Sequence, residues 1–213
     1  MSKSPEKRTV LISSTVYGIE ELLDRAYTIL TRFGYEVWIS HMGTVQVRSN
    51  RSAFGDCLAA VEKCDLFLGI ITPSYGSGQD KKNDPDGLSI FHQEVRLAMK
   101  LNKPRWMLAH DHVVFSRLLL NKLGFKGKEG RKKLPAVAQP IDLRVIDIYE
   151  DAILDNSAIP VAERTGNWVQ KFRSTEDGAL FVSSQFFRYQ EVEEFIKENF
   201  AGGNPLPPKG GRP

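Results

Sequence analysis

The chain has 213 residues, of which 41% are hydrophobic and 26% charged. That is ordinary for a soluble globular protein and enough to bury a full core, so one domain is the default expectation. No apolar run approaches the roughly 20 residues that cross a bilayer, and the opening MSKSPEKR is too polar for a secretory signal; the expectation is a cytoplasmic protein with no membrane partner. The formal charge of +3 is unevenly placed: residues 121–133 alone contribute +5, leaving −2 for the rest. The body is therefore not basic. The sequence instead predicts one solvated, mobile basic loop, whose single aromatic, Phe125, offers no stacking platform. Nucleic acid is accordingly the least favoured partner.

Arg8–Ser13 reads as a buried strand that runs into the hydroxyls of Ser13, Ser14 and Thr15. A helix fits Gly18–Phe33, with Ile19, Leu22, Leu23, Ala26, Ile29, Leu30 and Phe33 on one face; Gly34 stops it. Tyr35–Ser40 is the next strand and Arg51–Lys63 the next helix. Cys57 and Cys64 stand near its end, seven residues apart and without companions at metal-ligand spacing, so both are expected to be reduced, buried thiols. Asp65–Ile71 is an unbroken apolar strand, followed by the turn residues Thr72–Gly78 and, after a polar loop, a helix opened by Ser89. Pro104–Ala109 supplies a fourth strand. Alternation of this kind argues for a parallel α/β sheet covered on both faces, in flavodoxin-like order 2-1-3-4-5.

Beyond residue 110 the pattern is less regular. His110–Leu123 and Leu143–Leu154 read as helices, and Glu163–Ser174 as a loop with a short strand. Ala179–Gln185 reads as a further strand, and Tyr189–Phe200 as an amphipathic helix before a flexible tail. The expected division is an α/β core over 1–111, an α+β extension packed on it over 112–200, and a tail over 201–213.

In a parallel sheet ligands bind beyond the carboxyl ends of the strands, where strand order reverses. The loops converging there carry the hydroxyls of Ser13, Ser14, Thr15, Tyr17, Ser74, Tyr75 and Ser89, with Gly76 and Gly78 opening the backbone. Such groups suit a ribose or a phosphate. A dinucleotide fingerprint and a P-loop are both missing from the sequence. At 100° per residue, His92, Gln93, Arg96 and Lys100 share a polar sector of the third helix, which leaves His92 solvated. Glu94 falls instead among Ile90, Leu97, Ala98 and Leu101. A lone carboxylate among hydroxyls suggests cleavage of a C–N glycosidic bond, where it stabilises or attacks an oxocarbenium-like sugar; the competing reading is a structural acid. His110 and His112 resemble a ligand pair but have no third ligand at suitable spacing, so no metal is expected. Asp65 reads as a capping or pairing acid. Trp168 reads as a packing residue, with Arg164, Asn167 and Gln170 beside it as possible cleft residues.

Three blocks carry a family resemblance: VLISSTVYGIEELLDRAYTILTRFGYEVWIS, CDLFLGIITPSYGSG and SIFHQEVRLAMKLNKP. In order, they resemble the hallmark blocks of a bacterial domain-of-unknown-function family with an "FISST" N-terminal strand, often fused to NTPase or repeat modules. IDLRVIDIYEDAI and ERTGNWVQKFRS are similar to the C-terminal extension of its stand-alone members. The resemblance implies a fold related to TIR domains and nucleoside 2-deoxyribosyltransferases, which place a catalytic Glu on the helix after the third strand. Carried onto this chain, Glu94 matches that Glu, Ser13 and Ser14 match the first ligand loop, and Tyr75 and Gly76 the loop after strand three. The family's S-x-T-E-x-E-Y reads here as Ser89-Ile90-Phe91-His92-Gln93-Glu94-Val95.

The leading expectation is an N-glycosidase-type hydrolase or transferase acting on NAD or a related nucleotide, as an effector in phage defence. NAD enters as substrate, with no cofactor. Glu94 would be catalytic, with Ser13, Ser14, Thr15, Tyr17, Ser74, Tyr75, Gly76 and Ser89 binding substrate. The alternative is a non-catalytic nucleotide-sensing or protein-interaction module. Either is expected to assemble with itself or with a partner protein.

Overall fold

The computed structural model describes residues 7–50, 52–78, 87–135, 141–154, 158–163 and 166–187. Five strands form one all-parallel sheet in the order β2-β1-β3-β4-β5: β1 (Thr9–Ser14), β2 (Glu36–Ile39), β3 (Leu66–Ile71), β4 (Arg105–His110) and β5 (Val169–Phe172). This is the flavodoxin-like order expected from the alternation of strands and helices. The short strand in the less regular half of the chain is the fifth strand of the same sheet.

Helices cover both faces, as unbroken apolar strands require. Helix α1 (Glu20–Arg32) and α7 (Thr175–Phe186) pack on one side with Val10, Ile12, Leu68 and Ile70. On the other side, α2 (Ala53–Lys63), α3 (Ile90–Lys100), α4 (Asp111–Lys122) and α6 (Arg144–Leu154) close over Leu11, Phe67, Ile71 and Met107. Between α4 and α6 lies the short helix α5 (Gly127–Arg131), and a 3-10 turn (Val161–Glu163) precedes β5. Asp65 accepts from the Thr9 amide at 2.8 Å and from Arg8 at 3.5 Å, the pairing role expected of it.

Four expectations need correction. Ala179–Gln185 belongs to α7, not to a strand: Ser174 and Asp177 form a capping box that starts a helix, and Val182 and Phe186 recur at helical spacing in the core. The basic segment is not a free loop, because α5 lies within it and Arg131 is buried between Asp147 and Glu150. Trp168 is 74% exposed and packs no core. His92 is 1% exposed, because α6 covers the flank of α3 that a lone helical wheel leaves to solvent. The expected helix at 189–200, the tail, Arg51 and Arg164 lie outside the described residues.

Candidate functional site

Side-chain alternation along β1 sends Leu11 into the core beneath α3, and Ser13, two residues on, to the same face. Ser13 pairs in register with Gly69 of β3, over which the Met107 side chain is packed. From above, α3 starts at Ser89, whose hydroxyl accepts from the His92 amide at 3.3 Å, an N-cap worth about 1 kcal/mol. Glu94 is thereby placed in the second turn, 8% exposed, and Ser13 Oγ donates to its Oε2 at 2.6 Å. Burial raises the Glu94 carboxyl to about 7, and the Ser13 bond offsets only part of that rise. Near neutrality the group therefore exists in both protonation states. This pair sits where β1 and β3 adjoin, the point at which strand order reverses.

The neighbouring hydroxyls mostly face inward. Ser14 Oγ lies within hydrogen-bond distance of the carbonyl oxygens of Thr15 (2.8 Å) and Ile70 (2.9 Å), which share its single proton. Thr15 is buried, hydrogen-bonded to the Thr72 hydroxyl and donating to the Ser74 carbonyl at 3.1 Å. The Ser74 amide donates in turn to Thr72 at 3.1 Å. Gly76, at φ +83°, lies so close to Thr15 that a Cβ there would stand 2.6 Å from the threonine methyl. Tyr17 is turned outward, at 75% exposure, and has no part in this cluster, while Ser74 is also exposed and joins it only through its backbone. Thr72 was not singled out in the sequence, although a polar residue closing an apolar strand, as Ser13 closes β1, is the signal that marks it.

Tyr75 is buried, with the Arg144 guanidinium stacked 4.1 Å from its ring centroid. Its hydroxyl meets His92 Nδ1 at 2.8 Å and accepts from the Ser89 amide at 3.4 Å. His92 Nε2 lies 2.8 Å from Asp151 Oδ2, which also accepts from Arg96 Nε at 2.7 Å. Burial acts to raise the Asp151 carboxyl, but the bonds from His92 and Arg96 outweigh it and hold it below the usual range. Asp151 also escaped the sequence reading, since nothing local pairs an acid on α6 with a histidine 59 residues earlier. His92, Arg96 and Asp151 line one wall of an open 470 Å³ cleft that Lys128, Asp147 and Glu150 also line.

At the end of β4, His110, Asp111 and His112 bring one ligand-type atom each within 4.8 Å of the others. Asp111 is thus the third group that spacing alone did not supply. The cluster is partly engaged: Arg173 donates to Asp111 Oδ2 at 2.9 Å and the His112 amide donates to His110 Nδ1 at 3.2 Å, while Asp111 Oδ1, the oxygen nearest the two histidines, accepts no hydrogen bond among the described residues. Cys57 and Cys64 are free thiols, and burial raises both to about 11. The Glu94 charge adds to the rise at Cys57 and places α2 beside the carboxylate.

Fold and site together define a flavodoxin-like α/β protein with a buried, near-neutral carboxyl at its topological switch point. The family model for the domain of unknown function DUF4062 matches residues 9–199, and the chain belongs to that family. None of the curated proteins matches it.

Proposed function

We propose that the chain is an N-glycosidase-type enzyme acting on NAD or a related nucleotide, with Glu94 as the catalytic carboxyl. The observation that carries this reading is a carboxyl raised to about 7 and bonded to Ser13 at the β1/β3 switch point. As a carboxylate, Glu94 meets the positive charge that develops on the ribose as the C1′–N bond breaks and the base departs with the bonding electrons; water then adds to C1′ and gives up a proton, completing hydrolysis. The resemblance to TIR domains and nucleoside 2-deoxyribosyltransferases supports the same role for this Glu. It also motivates a self-assembled or partner-bound active form serving in phage defence.

A second reading, a nucleotide-sensing or protein-interaction module, is favoured by a specific observation. The hydroxyls of Ser14, Thr15 and Tyr75 are engaged inside the protein, and that of Ser13 is bonded to Glu94. One experiment separates the two: mass spectrometry after incubation with NAD, NADP, ATP and deoxynucleosides, at low and high protein concentration, beside Glu94→Gln. Free base from the wild type alone supports the glycosidase. Nucleotide binding without release, insensitive to Glu94→Gln, supports the module.

A further inference from the structure

We propose that His92 and Asp151 are positioning residues, a buried clamp through which α6 sets the rotation of α3 and so aims Glu94 at the switch point. The proposal rests on the catalytic reading of Glu94 for its activity readout, and on the hydrogen-bond geometry together with the raised Glu94 carboxyl for its structural one. His92 and Glu94 are two residues apart, which is about 200° around a helix. The two side chains therefore leave α3 on opposite flanks. Glu94 reaches β1 through Ser13, and His92 reaches α6 through Asp151.

The clamp extends past the two side chains. Asp151 accepts, so Nε2 of His92 donates to it; in the neutral ring Nδ1 then accepts from the Tyr75 hydroxyl. Tyr75 belongs to the loop after β3, which is tied to α3 by the Ile90 amide donating to the Ser77 carbonyl at 3.3 Å. The Asp142 amide, just ahead of α6, donates to the Pro73 carbonyl of the same loop at 3.3 Å. Loop, α3 and α6 are thus joined by these four hydrogen bonds, with the buried His92 at the centre. A buried polar group left unsatisfied is costly, so a rotation of α3 that breaks the Tyr75–His92–Asp151 chain is disfavoured, with the heaviest cost at the buried His92.

The test uses the full chain and four variants: His92→Leu, Asp151→Ala, Tyr75→Phe and the conservative Asp151→Asn, which keeps an acceptor for His92. Carbon-13 NMR of the labelled Glu94 carboxyl reads its ionisation, and base release reads turnover. The expected result is a Glu94 midpoint falling from about 7 toward ordinary carboxylate values in the first three variants. Alongside it, kcat drops about 10- to 100-fold while KM stays within about threefold, with Asp151→Asn recovering most of the loss. If His92→Leu fails to fold, Tyr75→Phe, which removes one hydroxyl, decides the matter. Folded variants whose Glu94 midpoint and kcat equal the wild type's overturn the clamp. A wild type inactive on every nucleotide overturns the catalytic reading instead, and the carboxyl midpoint still decides for or against the clamp.

Discussion

Ser13 and Glu94, 81 residues apart in sequence, share a 2.6 Å hydrogen bond under cover of α3. The bond favours the charged carboxylate, whereas burial favours the neutral acid, and burial dominates. Removing the hydroxyl should therefore move the balance further in the same direction. In Ser13→Ala the Glu94 midpoint is expected to rise above its value of about 7. A pH titration of the labelled carboxyl by NMR reads it, and a midpoint that falls would mean that water enters where the hydroxyl was.

The same group makes stability depend on pH. Its folded value, about 7, lies above the ordinary 4.5, so the folded state holds the proton more tightly than the unfolded chain. The contribution is fully present below pH 4.5, is lost as pH rises to about 7, and is constant above that. Glu94→Gln removes the dependence. Compared with wild type, the variant should gain stability progressively over that window, reaching about 3 kcal/mol above pH 7. Urea denaturation of both proteins at pH 4, 6 and 8 checks this, and a gap independent of pH would count against a raised Glu94.

What the sequence disclosed and what it concealed follow one physical line. Local periodicity placed β1, α1, β3 and α3 because their apolar residues face a core on a fixed repeat, and the switch point followed from strand order. Glu94 was visible because it interrupts such a repeat. His92 was not, since its burial comes from α6, more than fifty residues later, and no helical wheel carries that information. Arg131 was hidden for the same reason among exposed lysines, and Ala179–Gln185 because its β-prone Phe181 and Val182 are overridden by the capping box at Ser174.

Gly76 tests how tightly the loops after β1 and β3 are joined. Its φ of +83° is left-handed, and an added methyl would meet the Thr15 side chain at 2.6 Å. Thr15 is held by Thr72 and Ser74 and has little room to yield. Gly76→Ala is expected to cost about 1–3 kcal/mol, the sum of backbone strain and displacement of the loop. Thermal unfolding reads the loss. Gly124→Ala serves as the control, since its φ is also positive but its Cβ meets nothing within 4 Å, so it should show the backbone part alone.

Arg131 is the cation on which the α5–α6 corner depends. It is 7% exposed and bonded to Asp147 and, at 2.9 Å, to Glu150, while Glu150 also accepts from Arg117 at 3.0 Å. Arg131→Met keeps much of the volume but leaves Asp147 without this partner in a half-buried setting. Breaking a buried pair from one side costs about 3–5 kcal/mol, because the remaining charge loses its compensation. The expected result is a loss of that order at neutral pH, which shrinks as acidification neutralises the stranded carboxyls. The double variant Arg131→Met with Asp147→Leu should recover part of it, since removing both partners removes the unpaired charge. Equilibrium denaturation of the two variants at pH 7 decides this, and a double variant no more stable than the single one would show that the arginine acts by packing rather than by charge.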